Sequence, residues 1–111
     1  MRNPDTSCNP YLATAVMLKA GLHGIKHKIE PPAPINRNIY NMSEEEMKEL
    51  GIERLPDNLK GAIKELETDK IIQDALGPHA FKSFIAAKNH EWNSYISAVH
   101  PWEREQYLTK F

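Results

Sequence analysis

RNPDTSCNPYLATAVMLKAGLHGIKHKI, residues 2–29, runs from turn formers straight into a long helix. Up to Asn9 there is no periodic pattern. Asn9-Pro10 then reads as a helix start: the Asn side chain caps free N–H groups, and Pro suits the first helical position, where its missing N–H is not needed. Tyr11, Ala15, Leu18, Leu22 and Ile25 follow at helical spacing and mark one face. Val16, Met17 and Ala20 widen that face, so the helix is expected to be well buried. Gly21 and Gly24 are each unfavourable inside a helix by up to about 1 kcal/mol relative to Ala. They read either as a close approach to another element or as a fraying last turn.

Beyond this helix the chain is punctuated by proline and glycine. EPPAPINRN, residues 30–38, holds three prolines and is an extended connector. Ser43 opens a second helix: Ser43 and Glu46 have the spacing of a capping box, and Met42 and Met47 that of a hydrophobic staple. Glu44, Glu45 and Glu46 suit the positive end of its dipole. Gly51 ends it. Pro56-Asp57-Asn58 starts a third helix with Leu59, Ala62, Ile63 and Leu66 on one face. Asp69 caps a fourth, Lys70 to Leu76, stopped by Gly77-Pro78. A fifth runs from about His79 to Val99, with the stripe Phe81, Phe84/Ile85, Lys88, Trp92, Tyr95/Ile96 and Val99. Pro101 opens a last short helix. The expected fold is mainly α, about six helices joined by Pro/Gly loops, and a stub at the N-terminus is the one candidate strand.

At 111 residues and 12.7 kDa the chain is one small domain's worth of sequence. Fourteen basic and 15 acidic residues give a formal charge of -1, which argues against a nucleic-acid binder working through a basic face. The charge is uneven: residues 1–40 sum to +3 and residues 41–111 to -4. No run of about 18 apolar residues is present, so no transmembrane helix is expected, nor an apolar signal segment after the start. One cysteine, Cys8, excludes an internal disulfide and a cysteine-built zinc site. A reducing, cytoplasmic setting is the default expectation.

Few residues point to chemistry on their own. His23 and His27 are four apart, with Glu30 beyond, a spacing able to hold a metal. They lack the Glu that follows the first His in a zincin helix, and read as solvent-facing residues at the end of a cationic helix. His79 and His90 have no evident partners, and His100 reads as a helix-boundary residue. The three glutamates at 44–46 are explained by the dipole without a ligand, as are Glu103 and Glu105. Cys8 has no catalytic signature and reads as a small buried residue at a junction. Trp92, Tyr95, Trp102, Tyr107 and Phe111 form an aromatic C-terminal cluster, which serves equally as core or as a docking arm. Arg2 precedes the Pro4-Asp5 turn; it either forks to a carboxylate or phosphate, or pairs with Asp5.

Several motifs in order resemble one family. Arg2–Asp5 matches Arg-x-Pro-Asp, Asn9–Leu12 is Asn-Pro-Tyr-Leu, and Ala20–Lys26 matches Ala-Gly-Leu-x-Gly-Ile-Lys. Asn38-Ile39-Tyr40, Leu55-Pro56 and the ending His100–Tyr107 continue the likeness across essentially the whole chain. These resemble the C-terminal part of the α+β catalytic domain of bacterial type I glutamine synthetase, and the ending most resembles Gram-positive enzymes.

The resemblance implies a ligase that makes glutamine from glutamate and ammonia through γ-glutamyl phosphate. ATP and two or three Mg²⁺ or Mn²⁺ ions serve the parent enzyme. It implies that Arg2 contacts the glutamate carboxylate or the transferred phosphoryl group, a charge-assisted contact of about 1.5–3 kcal/mol. It divides the chain into a substrate loop and buried helix (1–29), a Pro-rich loop (30–42), a helical region (43–99) and a C-terminal docking helix (100–111). It places Trp102, Tyr107 and Phe111 against other subunits of a dodecamer of two hexameric rings, with a nitrogen-control transcription factor as a further partner. Tyr40 aligns with a tyrosine that some relatives adenylylate; relatives with this style of ending usually lack that control.

The family's metal-ligand Glu would fall before Met1, as would its other ligands and ATP-contacting residues. No metal or ATP is therefore expected to bind tightly to this chain, and the isolated chain is expected to be inactive. Two other readings compete: a stand-alone helical module that binds the full enzyme or a regulator, and a metal-binding protein using His23 and His27.

Overall fold

The first helix, α1, spans Pro10–His27 and begins where its sequence cap lies. The Asn9 Oδ1 accepts from the N–H groups of Tyr11 and Leu12 at 3.0 and 3.3 Å. The computed structural model describes residues 4–108 and 110. Residues 4–9 form turns and bends, and no strand is present among the described residues, so the N-terminal stub is not seen as β structure. At its other end α1 closes on Lys28, which adopts φ 52° and ψ 43°. The N–H of Ile29 reaches the Gly24 carbonyl at 3.0 Å, and that of Lys28 reaches Ile25 at 3.2 Å, a Schellman pattern. A lysine carries the left-handed position that glycine usually takes, at a cost of about 1 kcal/mol. The helix runs regularly through Gly21 and Gly24, so its last turn is not frayed. A Cβ on either glycine would meet nothing, so neither marks a close approach within this structure.

The Pro-rich connector leads to a single 3-10 turn, Ile39–Asn41, and then to α2, Glu44–Glu49. The capping box is complete: the Glu46 N–H donates to Ser43 Oγ at 3.2 Å, and the Ser43 N–H donates to Glu46 Oε2 at 2.9 Å. Gly51, at φ 65°, ends the helix. There the Ile52 N–H donates to the Met47 carbonyl at 2.8 Å and the Gly51 N–H to Lys48 at 3.2 Å, a second Schellman closure. Met47, the staple residue, is buried. Ser43→Ala removes one bond of the box and is expected to weaken α2 by about 1 kcal/mol, so that hydrogen exchange at the Glu46 amide accelerates about fivefold.

The hairpin of α3 (Leu59–Thr68) and α4 (Lys70–Ile96) turns on one residue. Asp69 closes α3 and caps α4, accepting from the N–H groups of Ile71 and Ile72 at 2.9 and 3.0 Å. Gln73 reaches back and donates to the free carbonyls of Leu66 and Glu67 at 3.0 and 2.8 Å. Asn58, the last residue of the expected start Pro56-Asp57-Asn58, caps α3, accepting from the Gly61 N–H at 2.9 Å. Further along the hairpin, Lys60 donates to Asn89 at 2.9 Å. The segments expected as a fourth and a fifth helix form one kinked element. Gly77 has φ 72° and ψ 160°, a break that only glycine accepts readily, and Pro78 starts the second limb. Among the described residues there are accordingly five α-helical elements, the kinked one holding both expected segments. The last, α5, is Pro101–Tyr107.

α4 is the spine, with α1 and α3 both packed on it. What these elements lack is an interior: among the described residues only Met47 and Ile63 are buried apolar side chains. The accessible surface is 9975 Å², whereas a closed monomer of this mass has about 6,200 Å². The radius of gyration is 18.4 Å, against about 13 Å for a closed domain of this length.

The expected burial of α1 is corrected in the same terms. Tyr11, Leu18, Leu22 and Ile25 are exposed, Tyr11 at 85% and Ile25 at 77%. Leu12, Ala13 and Val16, on the other side, are half-buried, as are Lys19, His23 and Gly24. The helix is apolar nearly all round, and such a helix belongs inside a larger protein. The α4 stripe is half-buried from Phe81 to Trp92, but Tyr95, Ile96 and Val99 are exposed and the helix stops before Val99.

Candidate functional site

A concavity lies where the N-terminal turn and α1 meet the α3–α4 corner, an open cleft of about 500 Å³. Leu12, Ala13 and Val16 form one wall, Leu66, Ile72, Leu76 and Phe84 the other, and Asp5, Ser7 and Cys8 line the mouth. The mouth is shaped by an Asx turn. Asp5 Oδ1 accepts from the Ser7 N–H at 2.7 Å and from the Ser7 hydroxyl at 2.6 Å. Those bonds, the hydroxyl's first, hold the Asp5 carboxyl below the usual carboxylate range. Asp5 thus has a local partner in Ser7. Lys88 closes the opposite side, paired with Glu91 at 2.6 Å and lying 5.9 Å from the Phe84 ring centre.

One ion pair ties α1 to α4: Lys19 donates to Asp74. Hydrogen bonding from Lys19, and then its charge, lowers the Asp74 pKa. A lowered carboxyl contributes above its unfolded pKa and loses that contribution as pH falls. The pair is solvent-exposed and adds little to stability.

The residues singled out in the sequence do not gather at this cleft. Arg2 and Phe111 lie outside the described residues. Cys8 is at the mouth and exposed, not buried as expected. Tyr40 is 98% exposed on the 3-10 turn, its N–H held by Asn38 at 3.1 Å. Trp102 and Tyr107 meet edge to face with ring centres 6.3 Å apart, and both are exposed. His100 stands at the boundary before α5: its N–H donates to Glu103 at 2.8 Å, its Nε2 lies 3.2 Å from the Tyr95 carbonyl, and its ring packs 4.5 Å from that of Tyr95.

Glu44 faces Arg54 at 3.5 Å, and Glu46 faces Arg37 at 4.0 Å as well as closing the capping box. Among the described residues no three His, Cys, Asp or Glu side chains gather as metal ligands. Among the described residues no helix is long and apolar enough to cross a membrane. The cleft itself was not legible in the sequence. It needs the α1 and α4 pairing that Leu12 and Val16 make, and the dominant stripe of α1 points elsewhere.

An apolar cleft on helices whose apolar faces are left uncovered is the arrangement of a segment of a larger protein. Residues 1–107 match the family model described as glutamine synthetase, catalytic domain, and the chain belongs to that family. It is 50% identical to the glutamine synthetase of Methanosarcina mazei over 98% of its own length and 52% identical to that of Methanocaldococcus jannaschii over 96%. It is 45% identical to the Clostridium saccharobutylicum enzyme over its full length. The chain spans about a quarter of these relatives, 24–25% of each. The solved structure described as "Apo GmaS without ligand" superposes with a TM-score of 0.81 at 36% identity, over 98% of this chain and 25% of that one. The matched quarter is the C-terminal portion of the enzyme. Nothing in these comparisons supports a stand-alone interaction module.

Proposed function

We propose that this chain serves as the C-terminal segment of a glutamine synthetase, the ATP-dependent ligase that joins ammonia to glutamate through γ-glutamyl phosphate. Its own role is scaffolding plus one substrate contact. Arg2 is the residue assigned to the glutamate carboxylate or phosphoryl group, because a forked cation suits both. Mg²⁺ or Mn²⁺ and ATP belong to the whole enzyme. Among the described residues no three His, Cys, Asp or Glu side chains gather to hold such an ion.

The exposed aromatic pair Trp102 and Tyr107, with Phe111 beyond, suits a docking arm toward other subunits, in a dodecamer of two rings as the resemblance implies. Contact with a nitrogen-control factor, and a cytoplasmic setting in which Cys8 stays reduced, rest on the same resemblance. Tyr40 is exposed enough to accept a modifying group, and nothing else here favours one.

The observation that carries this reading is the family match over nearly the entire chain, combined with a surface far too large for a closed domain. Purified alone, the chain is expected to show no ATP- and glutamate-dependent amide formation. Measurable turnover would contradict the reading.

A further inference from the structure

The chain just ahead of α1 is fastened by a short run of bonds in which Asp5 is used twice. Its Oδ1 accepts from the Ser7 N–H at 2.7 Å and from the Ser7 hydroxyl at 2.6 Å, and its backbone carbonyl accepts from the Cys8 N–H at 3.1 Å. Asn9 follows at once. Its Oδ1 caps α1, and its carbonyl accepts from the Ala13 N–H at 3.0 Å. Pro4 stands before the turn, its φ fixed by its ring. The turn is thereby continuous with the first turn of α1, and α1 is tied to α4 through Lys19 and Asp74. A turn held in this way sets the direction in which the preceding chain leaves the helix.

Arg2 stands three residues before Asp5 in the sequence. A forked cation serves a bound carboxylate or phosphoryl group only where the backbone carrying it is held, because a misplacement of about 1 Å can cost about 10²-fold in rate. Resting on the assignment of Arg2 to the glutamate carboxylate or phosphoryl group, we propose that Asp5 is a positioning residue for Arg2, acting through the acceptor oxygen of its turn and not through its charge. The competing role for Asp5, a direct ion pair with Arg2, needs a carboxylate. The turn needs only a side-chain oxygen two residues before the Ser7 N–H, which Asn supplies as well as Asp. The two substitutions Asp5→Asn and Asp5→Ala therefore separate the two roles.

The test is kinetic, in a related full-length synthetase whose C-terminal quarter is replaced by this chain. Asp5→Ala is expected to lower kcat/KM for glutamate about tenfold and to leave KM for ATP within about twofold of its original value. Asp5→Asn is expected to restore most of the loss. On an Arg2→Ala background, Asp5→Ala should cost less than about twofold, because a residue that acts through Arg2 then has nothing to position. The isolated chain gives a second readout that needs no activity. There, hydrogen exchange at the Ser7 amide is expected to accelerate about fivefold in Asp5→Ala and to keep its rate in Asp5→Asn. The positioning role is overturned if Asp5→Asn is as damaging as Asp5→Ala, if the losses from Asp5→Ala and Arg2→Ala multiply independently, or if Asp5→Ala is harmless where Arg2→Ala is not. Full activity in Arg2→Ala would overturn the assignment of Arg2 itself, and the role of Asp5 with it.

Discussion

Leu22→Asp is expected to behave oppositely in two settings. In the isolated chain Leu22 is exposed, and the change should alter stability by no more than about 0.5 kcal/mol. In a full-length synthetase carrying this segment, the same position is expected to face protein. A carboxylate there meets no partner, and burying it unpaired costs several kcal/mol. The milder Leu22→Ala should cost about 2–5 kcal/mol in the full enzyme, through lost burial and the cavity left behind. Comparing soluble yield and unfolding midpoints in the two settings checks this. Equal, small effects in both would mean that the exposed stripe of α1 covers nothing.

The second large effect concerns cooperativity. A closed domain of this length unfolds with about 80 kcal/mol of enthalpy near 60 °C. Here helical hydrogen bonds and local caps are abundant, but buried apolar area is scarce, and short isolated helices are marginal in water. Calorimetry of the isolated chain is therefore expected to show a broad loss of helix with well under half that enthalpy. A single sharp transition with the full enthalpy would show that the chain closes a core by itself, for instance by pairing its apolar faces with a second copy.

Where the helices lie was largely written in local chemistry. Asn9, Ser43 and Asp69 cap their helices through bonds that span two or three residues, and Gly51 ends α2 through bonds to the turn before it. Such signals do not depend on the rest of the protein. The packing face of α1 does depend on it. Leu12 and Val16 compete with Tyr11, Leu18, Leu22 and Ile25, and periodicity cannot choose between two apolar sides of one helix. At Gly77-Pro78 the punctuation was correctly read as a break: Gly77 leaves helical geometry and Pro78 starts a second limb of α4.

The family, and not the cleft, was legible in the ordered motifs, Asn-Pro-Tyr-Leu and Ala-Gly-Leu-x-Gly-Ile-Lys among them. No pair of residues announced the cleft at Asp5, Ser7 and Cys8, because its two walls come from distant stretches of the chain, Leu12 to Val16 and Leu66 to Phe84.

Glutamine formation measured on the chain alone, and on the chain mixed or co-expressed with the remaining three-quarters of a related synthetase, tests the central claim most directly. No activity from either part and ATP-dependent glutamine from the pair is the expected result. Activity from the chain alone, or a pair that stays inactive while the intact relative works under the same conditions, would contradict it.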